Sequence, residues 1–210
     1  DLKAVATSGC DAVLLPKVET AQEVRDAALR LAAAGAPAAM QIWCMIETPL
    51  GVLRVQDIAF SSPHLTCLVM GTSDLAKDLR ARHTPDRLPV LTSLSLCVLA
   101  ARAAGLTILD GIHLDLEDEA GFLAACRQGA ELGFDGKTLI HPKTIDGANA
   151  AFGPTPEEVA LARRIIDAHA EALKKGQGVT VVDGKLVEQL HVESAKRTVA
   201  LAEAIAARKA

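Results

Sequence analysis

Chemistry in this chain of 210 residues is best sought where an apolar run stops at an acid. The run Ile42-Trp43-Cys44-Met45-Ile46 ends in Glu47, and Thr48 and Pro49 then suit a helix cap and a first helical turn. A second run, Leu65-Thr66-Cys67-Leu68-Val69-Met70, passes into Gly71-Thr72-Ser73-Asp74-Leu75. Such unbroken apolar runs read as parallel strands covered on both faces. Each acid then follows the C-terminal end of a strand, where α/β barrels keep their chemistry. On adjacent parallel strands Glu47 and Asp74 share one mouth, with no Lys or Arg immediately beside either. Two converging carboxylates suit a hard divalent cation such as Mg²⁺, with water and substrate oxygens completing the octahedron. The alternative is two unrelated surface acids, Glu47 merely facing solvent at a loop mouth.

Other residues invite the same question. Asp110, His113, Asp115 and Asp118 have a spacing that resembles a metal-ligand set, but they follow one another in a single segment, and a solvated acidic face accounts for them better. His141 fits a capping or packing role better than a catalytic one, and His191, near the lid, could reach a substrate, although a surface position accounts for it better. The five cysteines (Cys10, Cys44, Cys67, Cys97, Cys126) are scattered with no Cys-x-x-Cys pair, as expected of buried free thiols in a reducing cytoplasm.

The elements that must position these residues alternate. Asp1 to Gly9 reads as a helix tail, and Asp11 to Pro16 as a short strand that delivers Pro16-Lys17-Val18-Glu19 to a loop. Thr20 to Glu23 is a capping box that opens a helix ended by Gly35. After the Glu47 strand comes a helical segment with Val52, Val55 and Ile58, and then the Asp74 strand. The polar run 77–89, with two prolines, reads as a mobile loop. A helix from Leu91 to Ala104, a strand from Leu106 to Ile112, a helix from Ala120 to Leu132 and a last strand from Gly136 to Ile140 follow. Five strands alternating with helices predict a parallel sheet with helices outside it, an arc of a barrel that eight repeats would close.

Beyond this the pattern changes. Thr155-Pro156-Glu157-Glu158 opens a long helix, Asp183-Gly184 marks a hairpin, and residues 193–208 form a final helix. The expected division is a barrel portion over 1–153 and an appended C-terminal lid over 154–210. A net charge of −4 without a Lys/Arg cluster argues against a nucleic-acid footprint, and the absence of Tyr with a single Trp argues against a stacking surface for bases. No apolar run is long enough for a membrane span. Asp1-Leu2-Lys3 is unlike a signal sequence and reads as the cut end of a longer chain.

Taken in order, Ile46-Glu47-Thr48-Pro49-Leu50-Gly51, Gly71-Thr72-Ser73-Asp74-Leu75, Gly133-Phe134-Asp135-Gly136-Lys137, Ile140-His141-Pro142 and the Asp183-Gly184 hairpin resemble the HpcH/HpaI aldolase and citrate lyase family, on its citrate lyase β-subunit-like branch. The resemblance covers essentially the whole chain. It implies a TIM (β/α)8 barrel, here its last five strands, with a C-terminal lid, in a cytoplasmic homotrimer or hexamer whose subunits share lids. It implies Mg²⁺, or Mn²⁺, on Glu47 and Asp74, substrate or CoA contacts at Ser73, Ile140 and His141, and a lid acid for proton transfer at Glu188. The branch commonly has Asp at that last position. The family's substrate-binding arginines lie on the first three barrel strands, which this chain does not contain.

The implied reaction is lyase cleavage of a carbon–carbon bond in a 3-hydroxyacyl-CoA of the malyl-, citramalyl- or citryl-CoA type, giving an acyl-CoA and a 2-oxo acid. Three alternatives stand beside it: a malyl-CoA thioesterase on the same scaffold, an aldolase for free 2-oxo acids without CoA, and a non-catalytic fragment or subunit.

Overall fold

The computed structural model describes residues 1–209 and divides into two compact units, 1–148 and 149–210. The first unit is built on one sheet. Its strands, β1 (Ala12–Leu15), β2 (Gln41–Ile46), β3 (Leu65–Met70), β4 (Thr107–Asp110) and β5 (Gly136–Lys137), lie side by side in sequence order, all parallel. Successive parallel neighbours need a crossover, and helices supply it. These are α2 (Ala21–Ala33), α3 (Pro49–Leu53), α4 (Val55–Ala59), α5 (Thr72–Asp78), α6 (Leu88–Ala104) and α7 (Glu119–Leu132), with α1 (Leu2–Ala6) ahead of them. This is the predicted α/β arc.

Alternation along β2 shows how the strands distribute their faces. Ile42, Cys44 and Ile46 are buried, and Ile46 lies against α3; Trp43 and Met45, on the opposite face, are half-buried. Glu47 continues the Trp43–Met45 parity past the strand end. Four of the five thiols (Cys44, Cys67, Cys97, Cys126) are buried and none is in a disulfide. Burial pushes the Cys44, Cys67 and Cys97 thiols up to about 12.

Three expectations are corrected. The last strand stops at Lys137 rather than Ile140. Its partner β4 ends at Asp110, whose carbonyl accepts the Thr138 amide, and Pro142 then opens a 3-10 turn over Pro142–Thr144. The polar run 77–89 is shorter as a loop, because α5 reaches Asp78 and α6 starts at Leu88 with Pro89 in its first turn. It is also tied down: Arg87, in a left-handed backbone conformation, spans to β4 and α7 with its guanidinium.

The second unit contains α9 (Pro156–Lys174), a hairpin of β6 (Thr180–Val182) and β7 (Lys185–Val187), and α10 (Gln189–Lys209), with α9 packed on α10. The helix α8 (Ile145–Phe152) crosses the boundary between the units. Thr155 and Glu158 complete the predicted capping box of α9. The hairpin turn has positive φ at both Asp183 and Gly184, as a two-residue type I′ turn requires. The helix α10 begins four residues earlier than read from sequence, at Gln189, because the His191 ring accepts the Glu188 amide and closes its first turn. Among the described residues no helix is long and apolar enough to cross a membrane.

Candidate active site

The site forms where β1, β2 and β3 end. Thr48 caps α3 by accepting the Gly51 amide at 3.0 Å, and this turn fixes Glu47 just ahead of it. Glu47 is only 5% exposed. One of its oxygens, Oε1, accepts the backbone amide of Lys17 at 2.9 Å. The other lies against Gly71, where an added Cβ would stand 2.6 Å from Oε2. Only glycine permits that approach. The Gly71 amide in turn bonds the Ile46 carbonyl, so the β3 end and the Glu47 turn are stitched together.

Asp74 sits in the first turn of α5, half-exposed, with its carboxylate toward the same place. Lys17 Nζ is 3.2 Å from Asp74 Oδ1, and Lys77 Nζ 3.9 Å away. Lys17 therefore touches both acids, one through its amide and one through its ammonium. This corrects the expectation of two acids with no basic neighbour, since the β1–α2 turn brings Lys17 in from far along the chain. That turn is held closely, with the Val18 amide on the Met45 carbonyl, and Lys17 adopts a left-handed conformation at φ 50°.

The electrostatics follow from these contacts. Burial raises the Glu47 carboxyl above its ordinary range, the Lys17 amide and charge pull it back, and neighbouring Asp74 pushes it up again. The Lys17 ammonium is raised, chiefly by its hydrogen bond to Asp74. A buried carboxylate pushed up by a second one beside it is a group that a divalent cation would relieve. Among the described residues no third His, Cys, Asp or Glu joins Glu47 and Asp74; a pair of carboxylates is a donor set of the kind that fits Mg²⁺, with positions left for water and substrate oxygens.

Ser73 lines a cavity of about 320 Å³ next to Asp74, together with Thr72, Arg82, Arg87, His113 and Asp118. Ile140 and His141 follow β5 and are exposed; the His141 ring accepts the Lys143 amide at 3.1 Å and caps the short turn there. In the second unit, Glu188 lies between β7 and α10 and is half-buried, its amide on the His191 ring and its carbonyl accepting the His191 and Val192 amides.

The rival cluster does not assemble. Asp110 is fully buried, not solvated. Arg87 donates to both its oxygens at 2.8 and 2.6 Å, and Lys137 Nζ, only 1% exposed, lies 3.0 Å away. Asp118 instead caps α7, and His113 stacks edge-on against Phe122 with Nε2 3.9 Å from Asp118. Lys17 could have been found by the rule that found Glu47 and Asp74, because it too follows a strand end. Arg87 had no such signal, since its partners are set by tertiary packing.

Comparison with known proteins bears on what this geometry serves. The family model for HpcH/HpaI aldolase/citrate lyase matches residues 1–142. A (3S)-malyl-CoA thioesterase of Cereibacter sphaeroides (strain ATCC 17029 / ATH 2.4.9) is 50% identical over 210 residues, covering 100% of this chain and 71% of that protein. The citrate lyase subunit beta of Escherichia coli (strain K12) is 36% identical over 208 residues, covering 97% of this chain and 69% of that one. Among solved structures, the CitE protein of Mycobacterium tuberculosis in complex with magnesium, acetoacetate and coenzyme A superposes with a TM-score of 0.75 at 28% identity, over 95% of this chain and 72% of that chain.

Proposed function

Because the chain belongs to the HpcH/HpaI aldolase/citrate lyase family, we propose that it carries the metal site of an enzyme acting on a malyl-CoA-type thioester. The observation that carries this is the convergence of Glu47 and Asp74 at consecutive strand ends. Glu47 and Asp74 would hold Mg²⁺, or Mn²⁺ in its place, and the CoA ester would enter as substrate. When bound, the cation polarises substrate oxygens and offsets negative charge that develops on them. The chain's own residues prepare the place: Gly71 leaves room for the Glu47 carboxylate, and the Lys17 amide fixes its orientation.

Hydrolysis is the first reading, favoured by 50% identity to the thioesterase over the whole chain. Water adds to the thioester carbonyl carbon, the C–S bond breaks, and CoA leaves as thiol with malate as the acid. Carbon–carbon cleavage is the second reading, favoured by the 36% identical citrate lyase β subunit. There the C2–C3 bond of malyl-CoA breaks, the hydroxyl proton departs, and the acetyl-CoA enolate takes a proton at carbon. Both need a proton-handling group, and Glu188 is the candidate, as a carboxylate that activates water in the first case and an acid in the second. Ser73, Ile140 and His141 are proposed to line the path of the CoA ester, within a homo-oligomer.

The test is product analysis with malyl-CoA and Mg²⁺. Malate and free CoA without glyoxylate support hydrolysis; glyoxylate and acetyl-CoA support the lyase. Neither product pair would sink both. Glu47→Gln and Asp74→Asn should each lower Mg²⁺-dependent turnover by about 100-fold or more, and Glu188→Ala should lower it as well. Wild-type turnover in any of these removes that residue from the site.

A further inference from the structure

Among the described residues, Lys17 is the one that engages both acids of the site through separate groups. Its amide donates to Glu47 Oε1 at 2.9 Å, and its Nζ stands 3.2 Å from Asp74 Oδ1. It does so from a left-handed backbone, φ 50°, which is uncommon outside glycine, asparagine and aspartate. Strain of this kind at a site is a reason to look for a role. The turn that carries it is tightly seated: an added Cβ at Gly51 would lie 2.6 Å from the Val18 carbonyl oxygen, so α3 abuts the residue next to Lys17. The backbone of Lys17 is thus fixed, while its side chain is half-exposed.

We propose that Lys17 is a resident counter-ion, whose amide orients Glu47 while its ammonium occupies Asp74 until a divalent cation displaces it there. This deepens the proposed metal site and rests on that reading. Two neighbouring carboxylates repel, and a cation on one of them relieves that repulsion. The ammonium supplies that cation and competes with the metal for Asp74. On displacement the amide stays on Glu47, so one ligand remains oriented while the other is released. Lys77 is a natural control: it is farther from Asp74, at 3.9 Å, and also faces Asp78 at 3.7 Å.

Mn²⁺ titration of the purified protein without substrate, read by the electron paramagnetic resonance signal of free Mn²⁺, tests this. Lys17→Met keeps the amide and deletes the competitor, so it should bind Mn²⁺ about two- to fivefold more tightly than wild type, the factor expected for removing one exposed ion pair. Lys17→Arg should stay near the wild-type affinity, and Lys77→Met should gain less than Lys17→Met. Unchanged or weaker binding in Lys17→Met overturns the counter-ion role, as does an equal gain in Lys77→Met, which would reflect overall charge alone. Glu47→Gln separates the two levels. If it loses Mn²⁺ binding while Lys17→Met behaves as wild type, the metal site stands and the counter-ion does not. If Glu47→Gln binds Mn²⁺ as wild type does, both fall.

Discussion

At the residue scale, Glu47 is an acid kept out of water by the fold and answered by one amide and one ammonium. Its folded pKa is raised above the unfolded value of about 4.3. A carboxyl shifted in this direction stabilises the fold fully below the unfolded pKa, and that contribution is lost as pH rises through the folded one. In metal-free protein at pH 7 the ionised, buried form is therefore a liability, and Glu47→Gln should melt at a higher temperature than wild type. The gap should shrink as pH falls toward 4. Calorimetry in chelator across pH 4–8 measures it, and a gap that is constant or of opposite sign would show that Glu47 is not strained by burial. Glu47 and Asp74 were legible because strand ends can be located from apolar runs. Lys17 follows a strand end as they do, but its contact with both acids was not legible, because that contact joins turns remote in sequence.

At the element scale, the ends of β4 and β5 are joined to α7 and to the start of α6 by one buried acid between two cations. Asp110 receives Arg87 and Lys137, its Oδ1 also takes the Gly111 amide, and Arg87 bonds Gln128 on α7. Burial lowers the Lys137 ammonium, and Asp110 partly restores it. Breaking such a group strands buried charge, so Asp110→Asn should destabilise the first unit by about 3–5 kcal/mol. Chemical denaturation checks this; a loss below about 1 kcal/mol would mean the two cations find water instead. The strands themselves were readable from apolar runs and capping residues. The short β5 and the pinned 79–87 loop were not, because strand length there depends on where β4 stops and loop order depends on a guanidinium reaching a partner across the fold.

At the scale of the whole molecule, β1 and β5 each pair on one side only among the described residues. Unpaired strand edges recruit other strands. The 210-residue chain by itself should therefore self-associate, and light scattering after size-exclusion chromatography reads this directly; a monodisperse monomer with a sharp melt would contradict it. The sheet order was legible because crossover helices leave few ways to arrange parallel neighbours. The sealed thiols offer one more use. Cys44, Cys67, Cys97 and Cys126 lie inside the first unit, and Cys10 is half-exposed near its start. A thiol-reactive dye should mark Cys10 quickly and the other four only when the surrounding structure opens. Each slow cysteine is thus a clock within its own layer, and their separate rates would time how β2, β3, α6 and α7 loosen, with no substitution introduced into the chain.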